Sequence, residues 1–326
     1  MADPSLELGP DAGADGGRLT RRQLRRLLGR MPAWAPLDAR VEERTEVEPG
    51  VVRERVTYQV EPGERVPGLL FLPSRQRPGR PAVLCLHQHA GQFELGKSEP
   101  AGLAGNPEQH YALELARRGF VTLVPDHLCF EERRDPRLPD AQFERFEFTR
   151  RLTLGSTLQA KLSWDAIRGV DYLRGRSEVD GRIGCIGHSL GGQQTLMLAA
   201  LDRRIAAAVS SCGFSTLATI FRDAVNHNFA AYAPGLGQRG DWGDVLALVA
   251  PRPFMAVAGR TDRIFPIDGL EAAIARAGRT YRRAGAAERL AFETEPGGHA
   301  FTGRLRALAY GWLERWLGPS GRMVGR

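Results

Sequence analysis

The chain has 326 residues, of which 42% are hydrophobic, and this is enough apolar material for a substantial core rather than a disordered chain. The formal net charge is +7, but basic and acidic residues are mixed along the chain, unlike the concentrated basic element of a nucleic-acid-binding protein. No run approaches the roughly 18 apolar residues that span a bilayer. We therefore expect neither a nucleic-acid partner nor a membrane span.

Residues 1–17 are acidic and glycine-rich, and they lack the basic start and apolar core of a secretory signal. We expect a flexible tail over 1–17, one domain over 18–320 and a cytoplasmic location. The stretch "RRQLRRLLGR" (21–30) predicts a short basic helix with three leucines on one side. A membrane or an acidic partner for this helix stays open beside simple packing of the leucines on the body of the protein.

The following segments predict the first part of a sheet. Alternation over 52–60 and the run "RVPGLLFLP" at 65–73 predict an antiparallel hairpin. The continuous apolar run "PAVLCL" at 81–86 predicts a strand buried on both faces. Asn106 as N-cap with Pro107 after it predicts a helix start, and Gly119 is expected to end that helix.

The rest of the chain alternates between strands and helices. Strands are predicted at 120–125, 182–187, 205–211, 253–259 and 289–295, and helices at 157–176, 189–201 and 304–318. This alternation indicates βαβ crossovers and a mainly parallel central sheet flanked by helices. Two insertions, about 127–155 and 212–247, follow strand ends, where open α/β sheets place their ligands. We interpret both as cap or wall segments of the single domain.

The motif Gly187-His188-Ser189-Leu190-Gly191 follows a predicted strand and opens a predicted helix. This is the setting in which G-x-S-x-G forms a sharp turn that exposes a serine hydroxyl above the sheet. The glycine spacing matches neither a P-loop nor a dinucleotide-binding fingerprint. The motif therefore predicts Ser189 as a nucleophile, with the Leu190 N–H aimed at a developing oxyanion. An ordinary glycine turn is the alternative.

A serine nucleophile needs a base, and the base needs an orienting carboxylate, in the chain order Ser, Asp or Glu, His. Of the two histidines after Ser189, His227 lies inside an insertion, whereas His299 lies in the loop "EPGGHAF" between the last strand and the last helix. Asp262 follows a strand by a tight loop and is the predicted acid. The other carboxylates weighed, Asp268 and Glu295, fit a helix first turn and a strand end.

The loop after the 81–86 strand reads "HQHAGQFELGK" and is expected to supply the second oxyanion donor. His87 and His89 also have a spacing that metal ligands at a strand end can have, with His127 as a further donor. No coherent ligand set follows, and the four cysteines are widely spaced with no CxxC pair, so we expect no metal. His87 is expected to be a hydrogen-bonded structural residue beneath the loop.

Several stretches together resemble one family: "RVPGLLFLP", "AVLCLHQHAG", "YALELARRGFVTLVPDH", "RSEVDGRIGCIGHSLGG", "AGRTDRIFP" and "GGHAF". Over about residues 20–317 the chain resembles the dienelactone-hydrolase and acetyl-xylan-esterase-like branch of the α/β-hydrolase superfamily. The resemblance implies the α/β-hydrolase fold, with Ser189 as nucleophile, Asp262 as acid and His299 as base. It also implies an oxyanion hole made by the backbone N–H groups of Leu190 and of His89 or Gln88.

Two departures from the family pattern matter. The loop usually begins His-Gly, whereas here it reads His87-Gln88-His89. The dienelactone hydrolases proper use a cysteine nucleophile, and a serine fits the esterase members better. These residues predict a serine hydrolase that acts through an acyl-enzyme on a small or medium carboxylic ester, without a cofactor.

Two other functions stay open. The same triad could act on an amide, a thioester or a C–C bond, and the fold could serve a non-catalytic binding protein. A homo-oligomer is also left open. The substrate-pocket candidates are His188, Phe214, His227 and Trp242.

Overall fold

The computed structural model describes residues 19–73 and 79–318. In these ranges nine strands form one sheet: β1 (Arg40–Glu48), β2 (Val51–Glu61), β3 (Glu64–Pro73), β4 (Arg80–Leu86), β5 (Val121–Pro125), β6 (Val179–His188), β7 (Ile205–Ser211), β8 (Phe254–Gly259) and β9 (Leu290–Glu295). Their spatial order is β1-β2-β3-β5-β4-β6-β7-β8-β9. The pairs up to β3–β5 are antiparallel, and the remaining pairs are parallel.

Helices cover both faces of this sheet. They are α1 (Arg21–Leu28), α2 (Tyr111–Arg117), α3 (Asp140–Thr153), α4 (Leu158–Arg174), α5 (Leu190–Leu201), α6 (Leu217–Arg222), α7 (Leu236–Arg239), α8 (Trp242–Ala247), α9 (Ile267–Arg283) and α10 (Gly303–Leu317). One hydrophobic cluster joins the sheet to α1, α4, α5, α8 and α9, and a second joins it to α2 and α10. The predicted α/β architecture, with its antiparallel start and parallel centre, is confirmed.

Strand β1 was not predicted, because its sequence gives no strand signal. Its nine residues, "RVEERTEVE", are exposed along almost their whole length, so no apolar alternation marks them. The strand lies at the sheet edge and pairs only with β2 in the described residues. A dense row of charges is the usual protection of an exposed edge against pairing with another chain.

Helices α2 and α3 differ from the sequence expectation, which also gave no bounds for α6, α7, α8 and α9. Asn106 does act as a cap, but of a single 3₁₀ turn over Pro107–Gln109, and α2 begins only at Tyr111. In the first insertion, α3 buries Phe143 but also Glu144 and Glu147. A helix that turns carboxylates inward shows no apolar stripe, so its sequence did not reveal it.

The basic helix α1 packs its leucines on the body of the protein. Leu24 and Leu28 are fully buried, and the Arg21 guanidinium donates to the Ala200 carbonyl (2.8 Å). The packing of these leucines on the body of the protein, one of the two alternatives left open for this helix, is therefore observed. Among the helices of the described ranges, none has the length and apolar character that a bilayer span requires. The predicted tail, 1–17, lies outside the described residues.

Candidate active site

Ser189 lies in the turn between β6, which ends at His188, and α5, which begins at Leu190. Its backbone has φ 55° and ψ −120°, a conformation that a residue with a side chain keeps only when its surroundings enforce it. The Ser189 N–H donates to the carbonyl of Ser211 at the end of β7 (2.9 Å). The predicted strand–serine–helix turn is confirmed, and it lies at the carboxyl edge of the parallel sheet.

The glycines beside Ser189 are required by close backbone packing. A β-carbon added to Gly187 would lie 2.6 Å from the carbonyl oxygen of Leu86, and one added to Gly191 would lie 2.6 Å from the Leu86 carbonyl carbon. Ordinary van der Waals contact begins at 3.4 Å. The turn is therefore pressed against the end of the neighbouring strand β4, which fixes the height of the serine above the sheet.

His299 and Asp262 form the predicted hydrogen-bonded pair. Nδ1 of His299, in the loop after β9, lies 2.8 Å from Oδ2 of Asp262, in the loop after β8. The other carboxylate oxygen of Asp262 accepts the backbone N–H groups of Ile264 (2.8 Å) and Phe265 (3.1 Å). With both oxygens occupied in this way, the carboxylate is held in one orientation and fixes the Nδ1–H tautomer of the imidazole.

The same contacts determine the charge of Asp262. Its side chain is fully buried, whereas that of His299 is 19% exposed. Burial alone would raise the pKa of Asp262, but the hydrogen bond and charge of His299 and the two backbone amides outweigh burial and lower the pKa. Asp262 is therefore an anion at neutral pH.

The two loops that carry this pair are joined to each other. The Thr261 N–H donates to the Gly297 carbonyl (2.8 Å), and the Arg260 N–H donates to the Glu295 carbonyl (2.8 Å). A β-carbon on Gly259 would collide with the carbonyls of Gly297 and Gly298, so the loops approach as closely as glycine allows. The acid and the histidine are thus positioned relative to each other by the backbone.

One imidazole and one phenyl ring pack against His299, and a second imidazole packs against that phenyl ring. The ring of His188, next to Ser189, has its centroid 4.7 Å from that of His299. On another side, the Phe265 ring stacks at 5.8 Å, and His227 in the second insertion lies 4.5 Å from Phe265. The candidates His188 and His227 therefore lie at the site, and the His188 contact places His299 beside the Ser189 turn.

Both flanking histidines are neutral. Burial, together with the charge of His299, lowers the pKa of His188 well below its usual value and that of His227 to about 4. Nδ1 of His188 is also hydrogen-bonded to the Ser211 hydroxyl (3.0 Å). Of these three imidazoles, His299 is the one that is hydrogen-bonded to the Asp262 carboxylate.

Cys212 completes the polar cluster around His299. Its sulfur, a ring nitrogen of His299 and a carboxylate oxygen of Asp262 all lie within 4.8 Å of one another. Burial and the Asp262 charge raise the pKa of Cys212 to about 12, so it stays a thiol and is a poor ligand or nucleophile. The Asp262 and His299 atoms are used for their mutual hydrogen bond.

Asp268 and Glu295, the two carboxylates not chosen as the acid that orients His299, have other partners. Asp268, in the first turn of α9, pairs with Arg222 (2.5 Å) and its side chain is 54% exposed. Glu295, at the end of β9, accepts a hydrogen bond from Thr302. Neither one is hydrogen-bonded to His299 in the described residues, as the choice of Asp262 required.

The loop after β4 begins with His87, a buried histidine whose hydrogen bonds hold the start of the loop. His87 is 1% exposed; its Nδ1 contacts the Gln88 carbonyl (2.8 Å), and its Nε2 accepts the His127 N–H (2.9 Å). Burial lowers the pKa of His87 to about 4. Both ring nitrogens are therefore used, so His87 has no free lone pair for a metal ion and acts as the predicted structural residue.

The side chains of Gln88 and His89, the two candidate oxyanion donors, are hydrogen-bonded to carboxylates that were not predicted from the sequence. Nε2 of Gln88 donates to Glu99 (2.9 Å), and Nε2 of His89 lies 3.1 Å from Glu144 on α3, while His89 Nδ1 accepts the Gly91 N–H (3.0 Å). These bonds fix the loop through its side chains. Nothing in the local sequence marks Glu99 or Glu144, because both reach the loop only through the fold.

The remaining pocket candidates lie in the hydrophobic core. Phe214 is 1% exposed and Trp242 is 3% exposed, and both belong to the cluster under the sheet. Phe214 packs edge-on against Phe254 with ring centroids 6.2 Å apart. Core packing accounts for both side chains. Of the other two candidates, His188 contacts His299, and His227 contacts Phe265, which stacks on His299.

The strand order and a serine at a strand-to-helix turn define an α/β-hydrolase. Comparisons with a family model and with a related protein narrow this class to one family. The model of the dienelactone hydrolase family matches residues 98–234. The YtaP protein of Bacillus subtilis (strain 168) is 31% identical over 306 residues, which cover 91% of this chain and 98% of YtaP. The chain therefore belongs to the dienelactone hydrolase family.

Solved structures share the fold at low sequence identity. A glucuronoyl esterase from Solibacter usitatus superimposes with a TM-score of 0.68 at 17% identity, covering 94% of this chain and 96% of that one. An acetyl xylan esterase from Paenibacillus sp. R4 gives 0.61 at 19% identity, covering 87% and 90%. At such identities the similarity establishes a common fold only. The reaction must be argued from the residues of the site.

Proposed function

We propose that this protein is a serine esterase in which Ser189 is the nucleophile, His299 the general base and Asp262 the orienting acid. The observation that carries the proposal is the 2.8 Å hydrogen bond between His299 and Asp262 at the same sheet edge as the strained Ser189 turn. These groups come from three separate loops, after β6, β8 and β9. Such convergence is what nucleophilic catalysis by a hydroxyl requires.

In the first half of the reaction, the Ser189 hydroxyl attacks the ester carbonyl carbon and passes its proton to Nε2 of His299. The imidazolium so formed is stabilised by the anionic Asp262 carboxylate, which remains unprotonated. Leu190, as the first residue of α5, has an N–H without an intrahelical acceptor, and this N–H is suited to the developing oxyanion. His299 then protonates the leaving alcohol as the acyl-enzyme forms.

In the second half, His299 takes a proton from a water molecule that attacks the acyl carbonyl. The tetrahedral intermediate collapses, the acid leaves, and the proton returns to Ser189. The second oxyanion donor belongs to the backbone of the loop after β4, at His89 or Gln88. The hydrogen bonds that hold both side chains support a preformed hole, whose energetic advantage is that no reorganisation accompanies the reaction.

An ester is the favoured bond, and a small or medium acyl substrate is the favoured class. The solved structures with this fold named above are called esterases, of glucuronoyl and acetyl xylan type, which supports the choice of an ester over an amide. No cofactor takes part in the proposed steps, because the proton transfers need only the three side chains.

The test uses a fluorophosphonate probe and a panel of acyl esters. Wild-type protein is expected to be labelled on Ser189 and to lose activity in step with labelling, whereas Ser189→Ala should show neither labelling nor turnover. Equal labelling of both proteins would overturn the proposal. Turnover of amides as fast as that of esters with matched leaving groups would instead reassign the bond.

A further inference from the structure

The chain contains 43 arginines but only two lysines. Each lysine is buried and pairs with its own set of three carboxylates. Lys97 Nζ pairs with Asp126 (2.8 Å), Glu131 (2.6 Å) and Glu132 (2.6 Å). The side chain of Lys97 is 3% exposed. An ammonium has three N–H groups that point to three corners of a tetrahedron, whereas a guanidinium is a planar fork. The site therefore needs a lysine, even in a chain that otherwise uses arginine.

The Lys97 cluster joins the loop after β4 to the segment after β5. Besides the ammonium contacts, the Lys97 N–H donates to Asp126 (2.7 Å). The N–H groups of Gly96 and Ser98 both donate to one oxygen of Glu131 (2.9 Å each). A β-carbon on Gly96 would collide with the Asp126 carboxylate, so the two segments are in closest contact here.

The same two segments meet again at the start of the loop, where the His127 N–H donates to His87 (2.9 Å). Between these anchor points lie Gln88 and His89, the residues with the candidate oxyanion amides. Glu99, two residues after Lys97, accepts the Gln88 side chain (2.9 Å). The loop is thus held at both ends and across its middle by one connected set of contacts.

The electrostatics make Lys97 the essential member of this set. Burial lowers the pKa of its ammonium, but Asp126 and the two glutamates outweigh burial and raise the pKa overall, so Lys97 stays charged. Without that charge, Glu131, which accepts the Gly96 and Ser98 N–H groups, and Asp126, which accepts the Lys97 N–H, would be left as an uncompensated buried pair of carboxylates. Glu131 also has φ +44°, a strained backbone that these contacts must maintain.

We infer that Lys97 is a positioning residue for the oxyanion loop: its ammonium holds the Asp126, Glu131 and Glu132 carboxylates together, and Asp126 and Glu131 anchor, at residues 96–98, the loop from which the second oxyanion N–H is donated. The inference rests on the proposed function, because an oxyanion forms only if Ser189 attacks a carbonyl. It assigns no proton transfer or substrate contact to Lys97.

Lys161 provides a matched control. Its side chain is fully buried on α4 and pairs with Glu61 (2.5 Å), Glu64 (3.0 Å) and Asp165 (3.0 Å), so it is the same kind of cluster. These carboxylates come from the β2–β3 turn and from α4 itself, and Lys161 has no hydrogen bond to the loop after β4 in the described residues. Replacing either lysine removes one buried ammonium; around Lys161, Glu64 and Asp165 also pair with Arg133.

The experiment compares Lys97→Met with Lys161→Met, each assayed well below its unfolding temperature. We expect Lys97→Met to lower kcat about 100-fold with KM changed less than about 3-fold, as for loss of one oxyanion donor, and Lys161→Met to keep kcat within about 3-fold. Amide hydrogen exchange over 88–99 is expected to rise in Lys97→Met and stay unchanged in Lys161→Met. Equal kcat losses in both variants, or none in Lys97→Met, would overturn the inference.

A second variant covers the case in which Lys97→Met does not fold. Gly96→Ala keeps every charge but pushes against Asp126, and it is expected to lower kcat in the same selective way; an unchanged kcat would contradict the inference. If wild-type protein shows no Ser189-dependent turnover or labelling, the proposed function fails. The hydrogen-exchange comparison still decides whether Lys97 holds the loop.

Discussion

Replacing Gly191 by alanine tests the geometry of the nucleophile turn most sharply. Gly191 is the second residue of α5, and alanine is favoured over glycine inside a helix by about 1 kcal/mol. Against this, the new β-carbon would lie 2.6 Å from the Leu86 carbonyl carbon and 2.9 Å from the His87 carbonyl oxygen. The Leu86 carbonyl oxygen is closer still, and ordinary contact begins only at 3.4 Å, so the backbones must separate by more than an ångström.

The overlap is between backbone atoms, so no side-chain rotation can relieve it. Overpacking typically costs about 1–3 kcal/mol, and an overlap this large between backbone atoms belongs in the upper part of that range, above the helical gain of about 1 kcal/mol. A shift of α5 away from β4 moves Ser189 and the Leu190 N–H together, and misplacement by about 1 Å costs about 100-fold in rate. We therefore expect Gly191→Ala to lower kcat about 100-fold and to lower the free energy of unfolding by about 1–2 kcal/mol.

Gly311→Ala is the matched control for this substitution. Gly311 lies within α10, and a β-carbon there would meet nothing within 4 Å, so the same change should raise the free energy of unfolding by about 0.5–1 kcal/mol. Ester turnover and urea unfolding of the two variants are the assays. If Gly191→Ala is as active and as stable as Gly311→Ala, the account of the turn is refuted.

The other predictions concern the acid and a buried charge cluster. Asp262→Asn should lower kcat about 10⁴-fold, because an amide stabilises the wrong tautomer of His299; steady-state kinetics on esters measures this, and a loss below about 10-fold would assign the orienting role elsewhere. Since the pKa of Asp262 is lowered by folding from 3.8, its ionisation stabilises the protein above that pH and the contribution disappears as pH falls below it. The free energies of unfolding of wild type and Asp262→Asn, measured in urea, should therefore converge in that acid range. A gap between the two free energies that widens as pH falls would contradict the predicted direction of the pH dependence. Lys161→Met should lower the free energy of unfolding by about 3 kcal/mol. It removes the cation nearest Glu61, whereas Glu64 and Asp165 keep their pairing with Arg133. Thermal unfolding that matches wild type would show that the cluster does not need the ammonium.

The sequence was sufficient where local pattern and chain order determine the structure. The elbow around Ser189 and the choice of Asp262 and His299 follow from motif, order and strand ends, and the structure brings Asp262 and His299 together at 2.8 Å. The parallel strands β4, β5, β7 and β8 were visible because burial on both faces makes them largely apolar.

What the sequence did not reveal depends on long-range contacts. Strand β1 is charged along its length because it lies at an edge, and its sequence looks like surface. Glu99 and Glu144 reach Gln88 and His89 only after folding, so no spacing connects them. The aromatic pocket candidates Phe214 and Trp242 are core residues, since a buried ring in an insertion has the same local sequence as one that lines a pocket.

The two lysines are a further case in which the sequence does not reveal long-range contacts. Their rarity is visible in the sequence, but the carboxylates that surround Lys97 come from positions 126, 131 and 132 and those around Lys161 from 61, 64 and 165. Only the fold shows that both are buried cations.

The central claim is that Ser189 carries an acyl group during turnover, and rapid quenching tests it directly. Protein mixed with 4-nitrophenyl acetate is quenched in acid within the first turnover and mapped by peptide mass spectrometry. The account predicts one acetyl group on the peptide that contains Ser189, and none on that peptide in Ser189→Ala. Turnover by wild type with no acetyl group on Ser189, or equal turnover by Ser189→Ala, would contradict it.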